Sequence, residues 1–592
     1  MLTPSSRLTA ILYALAIVLG LSLCFSVMGS LPDLYEAGIE EVQDGLKKKC
    51  FTSVDLVKVS GSIDVRLAQV DREYDRPRMQ AYLARIEEVN LKGPALRAVL
   101  ETNPNALKQA AELDQEREAS GPRGLLHGIP ILLKDNIATL HSEGMNTTAG
   151  SYALLDSVVD GESFVAARLR AAGAILLGKC SLSEWANWRG KVPSGFCGRG
   201  GQGTSPYVPL GNPSGSSSGS AIAGAIGLAT GTLGSETDGS IVSPSSNCNL
   251  VGLKPTVGLT SRAGVIPISE HQDSVGPMCR SVADCAAILS VIAGRDPHDN
   301  YTLNQPETVP DYTKALKKDG LRGARLGVLR KVLHGVDANI MIAFNKALED
   351  MKALGATIVD PADLADEWDY DEVWKREELV LCGDFRANVH GYLSKLVEVP
   401  TGVRTVEDLI RFNEENREKE LVEPFWTDQA TFFKCSNIHQ DSKFWDAVAY
   451  DYRMGRQDGV DGVLKKYEVD AILAPIARAS LPAAVAGYPL IVGTYNGIQC
   501  DVRRADLVIV SWDAVPLGFQ PPHVALTEAN PTRMNGPNMP FGISFLGTAY
   551  SEFQLIQYAY AYEQATKHRL EKKAYPEAIP KTQLGDVMGK QS

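Results

Sequence analysis

The chain has 592 residues, of which 44% are apolar and 22% charged, and a net charge of −12. This is an ordinary globular composition with ample material for a large core, and the length leaves room for several domains of about 100–200 residues. The longest basic run is Lys47-Lys48-Lys49, which excludes a chain built to neutralise nucleic-acid phosphates.

No residue between Leu8 and Pro32 is charged, and only Arg7 precedes the stretch as a basic residue. About 20 apolar residues span a bilayer as a helix. A signal peptide has a shorter apolar run, about 7–15 residues, followed by small residues, and Ser26-Val27-Met28-Gly29-Ser30 offers such a site. Residues 1–32 are expected to be a signal peptide or an uncleaved anchor, with residues 8–31 the only membrane contact. A buried core helix is the bland alternative, and the long uncharged run argues against it. Either expectation sends the rest of the chain into the secretory pathway, secreted or anchored with its catalytic domain outside the cytoplasm. Asn146-Thr-Thr148 and Asn300-Tyr-Thr302 are glycosylation sequons. The first lies close in sequence to a candidate catalytic lysine, so Asn300 is the expected glycan site.

Residues 63–118 carry helical apolar spacing rich in Ala, Leu, Glu and Arg. Short apolar runs then alternate with helical stretches: a strand at Ile129–Leu133, a helix at Ser163–Ala172, a strand at Ala174–Leu177 and a buried helix at Ala221–Leu228. This alternation predicts an α/β fold with a central sheet flanked by helices. Asp366–Asp470 is more charged and helical, with a helix starting at Thr405, and Asp506–Met539 reads as a long proline-rich loop before a strand at Phe541–Phe545. No boundary divides residues 50–580. The ten cysteines form no Cys-x-x-Cys pair, which leaves no signal for a structural zinc or a thioredoxin-type motif. Loss of Cys24 with a leader leaves nine, and so at least one free thiol.

Three segments carry the chemistry. His127-Gly-Ile-Pro-Ile-Leu-Leu-Lys134-Asp-Asn ends an apolar run on a lysine, Gly215-Ser216-Ser217-Ser218-Gly219-Ser220 runs into a small-residue helix, and Glu236-Thr-Asp-Gly239-Ser240 places a hydroxyl after a glycine turn. Alone, the Gly/Ser loop is a linker or turn, and it lacks the pattern of a phosphate-binding loop. Ser240 alone is a turn before the next element. Backbone N–H groups around such a turn, however, stabilise an oxyanion by about 3–4 kcal/mol each. A serine also needs a base. Lys134 meets that need if its pKa falls by about three units, which burial supplies. His127, His271 and His298 are the competing bases.

Taken together, the three segments resemble the amidase signature family of serine hydrolases. The ungapped stretch Gly215–Pro244 carries most of the resemblance, with Leu182-Ser-Glu-Trp-Ala-Asn-Trp-Arg189, Gly252-Leu-Lys-Pro-Thr-Val-Gly258 and Asp273-Ser-Val-Gly-Pro-Met278 beside it. Details such as Glu236-Thr-Asp-Gly-Ser-Ile-Val look closest to microbial peptide amidases. The resemblance implies one α/β domain over residues 50–580, with a mixed central sheet. It implies Ser240 as nucleophile, Ser216 as bridging serine in a cis peptide bond, Lys134 as base, and the N–H groups of Thr237, Asp238, Gly239 and Ser240 as oxyanion hole. Ser217 is the alternative bridge. No cofactor or metal is implied. Ser214 and Ser218 stand where the family has glycine, Asp238 replaces a glycine and Val242 an arginine.

The expected function is hydrolysis of carboxamide C–N bonds through an acyl-enzyme, with the C-terminal amides of peptides as the expected substrates. A lipid-amide hydrolase is the second enzymatic reading, and a non-catalytic binding protein on the same fold is the rival from another class. An amidotransferase subunit fits poorly, because a secreted chain is separated from RNA and glutaminase partners.

Overall fold

The computed structural model describes residues 31–57, 81–493 and 515–588. The expected leader or anchor lies outside the described residues apart from Leu31 and Pro32, as do residues 63–80 and 506–514. Among the described residues no helix is long and apolar enough to cross a membrane.

Twelve strands form one mixed sheet. In chain order they are β1 (Val99–Thr102), β2 (Pro130–Lys134), β3 (Ile175–Cys180), β6 (Gly231–Glu236), β7 (Val251–Lys254), β8 (Ser274–Cys279), β9 (Arg325–Val328), β10 (Thr357–Val359), β11 (Ala471–Pro475), β12 (Leu490–Gly493), β13 (Val515–Phe519) and β14 (Pro540–Leu546). The short strands β4 (Phe196–Cys197) and β5 (Gly201–Gln202) form a separate hairpin. Across the sheet the order is β1-β3-β2-β6-β8-β7-β12-β14-β11-β9-β10, with β13 pairing β14 from the side. Strand β2 runs parallel to both β3 and β6, and β6 is antiparallel to β8. Strands β2, β3 and β6 are buried along their whole length, the signature of strands covered on both faces.

The expected helix at Ser163–Ala172 forms over Phe164–Ala171, with the Ser163 hydroxyl accepting from the Ala166 N–H. The small-residue helix forms over Ser218–Ala225 and is fully buried. Two readings need correction. Strand β1 interrupts the region read as helical between 63 and 118, because pairing with β3 overrides its local helical spacing. Strand β13 lies inside the stretch read as a loop. Among the described residues it pairs with β14, and the register shift between Pro516 and Gly518 shows how a sheet accepts such residues at its margin.

The charged region 366–470 folds as helices that include Tyr370–Lys395, Val406–Glu415, Ala430–Ser436 and Ser442–Tyr452. Thr405 caps the second through a capping box with Asp408. These helices pack on the loops around Trp185, whose ring stands edge-on to Phe385 at 6.5 Å and to Phe432 at 5.9 Å. A disulfide, Cys382–Cys435, joins the first helix to the third. Cys50, Cys180, Cys197, Cys248, Cys279 and Cys285 are free thiols.

Candidate active site

Strand β2, flanked by β3 and β6, carries Lys134 at its C-terminal end, and the side chain is fully buried. Its Nζ lies 2.7 Å from Ser216 Oγ and donates to Ser235 O and Ser235 Oγ, each at 3.0 Å. Asn136 Nδ2 donates to the same Ser235 hydroxyl at 2.9 Å. Burial lowers the Lys134 pKa to about 7, against the opposing charges of Asp273 and Glu236. The amine therefore exchanges its proton near neutrality, the condition for a general base.

Ser216 precedes the helix Ser218–Ala225, and the Gly215–Ser216 peptide bond is cis. The Ser183 N–H donates to Ser216 O at 2.9 Å, and the Ser218 hydroxyl donates to Ser214 O at 2.6 Å. Gly219 packs directly on the end of β3. A Cβ there would lie 2.3 Å from Ala98 O and 2.5 Å from Ser181 N, so no other residue fits. The Gly/Ser composition thus reflects close backbone packing with hydroxyl caps, unlike a linker. Ser217 Oγ donates to Ser235 O at 3.1 Å, while its N–H donates to Ser240 O at 3.1 Å. That second bond ties the loop of Ser216 to the turn of Ser240.

The turn after β6 is shaped by Glu236. Its carboxylate accepts the N–H groups of Gly239 at 3.0 Å, Ile241 at 2.7 Å and Val242 at 2.9 Å. Gly239 sits at φ +76°, where glycine is favoured. The Gly239 N–H, one of four expected to meet an oxyanion, is therefore engaged by Glu236. Those of Thr237, Asp238 and Ser240 make no hydrogen bond among the described residues. Ser240 retains 8% exposure, whereas Ser216 has none. Thr237 Oγ1 donates to Asp273 Oδ1 at 2.5 Å, and burial raises Asp273 to about 6. With valine at 242, Lys254 supplies positive charge near Glu236, and burial lowers its own pKa to about 8.

Each candidate histidine has another partner. His127 Nε2 lies 2.9 Å from Leu113 O, His271 Nδ1 lies 2.6 Å from Asp384 Oδ2, and His298 Nδ1 lies 3.0 Å from Asp296 Oδ1. Ser235, Asn136 and the clamping role of Glu236 escaped the sequence reading. The signal lay within the motifs themselves, in polar residues flanking Lys134 and Ser240. No group of metal-ligating side chains occurs among the described residues.

A mixed sheet brings a buried lysine and two Gly/Ser turns together, and the likeness to known proteins makes this an amide-hydrolysing enzyme. Residues 78–556 match the Amidase family model, and the chain belongs to the amidase signature family. It is similar to the native peptide amidase of Stenotrophomonas maltophilia, with 36% identity, a TM-score of 0.75, and coverage of 91% of this chain and 98% of that one. The peptide amidase PAM bound to the competitive inhibitor chymostatin superposes with a TM-score of 0.76 at 36% identity, over 91% of this chain and 99% of that one. A probable amidase of Arabidopsis thaliana is 37% identical over 544 residues, 90% of each chain.

Proposed function

We propose that this amidase cleaves carboxamides through an acyl-enzyme on Ser240, with Ser216 relaying protons between Ser240 and Lys134. The observation that carries the reading is the 2.7 Å contact of a fully buried lysine amine with a loop hydroxyl. Neutral Lys134 accepts the Ser216 proton as Ser216 takes that of Ser240. Ser240 Oγ bonds to the carboxamide carbon, and the free N–H groups of Thr237, Asp238 and Ser240 receive the oxyanion. The proton returns through Ser216 to the departing nitrogen, the C–N bond breaks, and ammonia or an amine leaves. Water then gives a proton to the relay and bonds to the acyl carbon, the Ser240 ester bond breaks, the carboxylic acid leaves, and the relay returns the proton to Ser240 Oγ. Similarity to the peptide amidases supports the C-terminal amides of peptides as substrates.

A location in the secretory pathway accompanies this reading, supported by the apolar stretch 8–32 and by the Cys382–Cys435 disulfide. Asn300 is exposed, as a glycan acceptor must be, whereas Asn146 Nδ2 is bonded to Glu101. Ammonia release from peptide amides, simple carboxamides and fatty amides, with Ser240→Ala as blank, tests the function. Release that survives in Ser240→Ala would remove the acyl-enzyme. A preference for fatty amides would move the assignment to lipid-amide hydrolysis.

A further inference from the structure

Three carboxyl groups gather beside the Ser240 turn, and none forms an ion pair among the described residues. Asp238 belongs to the turn; its carboxyl is hydrogen-bonded to Ser480, and its Oδ1 is buried with no partner among the described residues. Gln272 Nε2 spans from Thr237 O at 3.4 Å to Glu377 Oε1 at 2.8 Å, which sets Glu377 of the helix Tyr370–Lys395 one side chain from the turn. Asp451, near the end of the helix Ser442–Tyr452, is 4% exposed, and neither carboxyl oxygen has a partner among the described residues. Its charge acts on Glu377, as does that of Asp238. The neighbouring residue Tyr452 packs against His271, which precedes Gln272. The two helices therefore converge on the segment that abuts the turn.

The charge of Lys254 acts on Asp238 and that of Arg376 on Asp451, but both cations bond other groups. Lys254 Nζ donates to Tyr488 O at 2.9 Å and to Pro255 O at 3.2 Å. Arg376 bonds Glu372 at 2.8 Å and stacks over Tyr450. Burial accordingly raises Glu377 well above the carboxylate range, raises Asp238, and pushes Asp451 up to about 8. An unpaired buried carboxyl is costly in its charged form and binds a complementary cation strongly once that cation is desolvated beside it. The complementary partner of such carboxyls is a cation, and an amide substrate can carry one as an ammonium or guanidinium group.

We propose that Asp238, Glu377 and Asp451 form a recognition site for an ammonium or guanidinium group on the acyl side of the substrate, so that basic peptide amides are preferred. This rests on the amide-hydrolase reading of Ser240 and names its substrate class. The cation displaces the protons held by these carboxyls, so binding near neutral pH releases protons to buffer.

The test pairs acetyl-arginine amide with its neutral near-isostere acetyl-citrulline amide. Their kcat/KM values are compared in the active enzyme, and their Kd values in Ser240→Ala by calorimetry in two buffers of different ionisation enthalpy. The expected result is a preference for the arginine amide of about tenfold or more, the scale of one well-placed charge pair, with proton release on binding. The preference should shrink in Asp451→Asn and in Glu377→Gln, and the second variant keeps the test alive if the first fails to fold. Equal values for the two amides overturn the proposal while leaving amide hydrolysis intact. A preference unchanged in both variants also overturns it. Selective binding of the arginine amide without turnover of any amide upholds the cation site and removes the hydrolase reading instead.

Discussion

Lys134 and Ser216 form a sealed pair: their polar atoms lie 2.7 Å apart, and neither residue exposes any surface. The lysine must be neutral to accept a proton, and burial places its pKa at about 7. The value of kcat/KM should therefore rise with pH and level off above about 7, the pKa of the free enzyme's base. Lys134→Ala should cost several orders of magnitude, and Lys134→Arg should be equally inactive because a guanidinium keeps its proton. A Lys134→Ala profile with near-normal activity at neutral pH would remove the lysine from the mechanism.

The same pair links activity to stability. The folded pKa of Lys134 lies below the unfolded value of about 10.4, so the unfolded chain binds more protons between about pH 7 and 10.4. The contribution of this group to stability should thus increase with pH across that window and be least below pH 7. Denaturant midpoints measured across that range should shift upward with pH in the parent, with a smaller shift in Lys134→Met. An equal shift in both proteins would assign the dependence to Lys179 and Lys254, whose pKa values burial lowers to about 8.

Ser216 and Ser217 separate the roles of adjacent hydroxyls. Ser216 faces Lys134 Nζ, whereas Ser217 Oγ donates to Ser235 O. Ser216→Ala should lower kcat by about 10²–10⁴, the range for a lost proton-transfer group. Ser217→Ala should lower it far less and mainly reduce stability, by about 1 kcal/mol for a lost hydrogen bond. Single-turnover kinetics and thermal melts of the two variants distinguish the outcomes, and the reverse ranking would transfer the relay to Ser217.

Much of this was legible because the informative residues are local. The run ending at Lys134 is a buried strand, the Gly/Ser loop leads into a buried helix, and Thr405 opens a helix with its capping box. Long-range pairing was not legible. Strand β1 depends on β3, 76 or more residues away in register, and β13 forms against β14. Within the site, Ser235 and Glu236 lay next to the motif, but their roles depend on groups brought in from β2 and on how the turn curls back. Glu377 and Asp451 reach the turn only because two helices from the charged region pack over it, which no spacing in the chain reveals.

Glu236 fixes the turn by accepting three N–H groups. Glutamine offers one oxygen and presents an amide donor toward groups that are themselves donors. Glu236→Gln should therefore lower kcat by about 10²–10³, the cost of disturbing an oxyanion donor, while KM changes little. Its labelling by a fluorophosphonate should slow in parallel, since the probe also develops charge at the turn. A raised KM with unchanged kcat would mean that Glu236 serves substrate binding instead.

The disulfide Cys382–Cys435 holds the helix of Glu377 to the helix Ala430–Ser436 across a sequence separation of 53. A cross-link of that span stabilises a fold by about 2–4 kcal/mol. Cys382→Ala/Cys435→Ala should lower the denaturant midpoint accordingly. Lys134, Ser216 and Ser240 sit on the sheet side, held by β2, β6 and the buried helix Ser218–Ala225, whereas both cysteines lie on helices of the charged region. Fluorophosphonate labelling of Ser240 should thus persist under conditions where the double variant is still folded. Substrate contacts from the helical region should loosen first, so KM for basic amides should rise before kcat falls. An equal loss of labelling and of binding would show that the helical region and the sheet unfold as one cooperative unit.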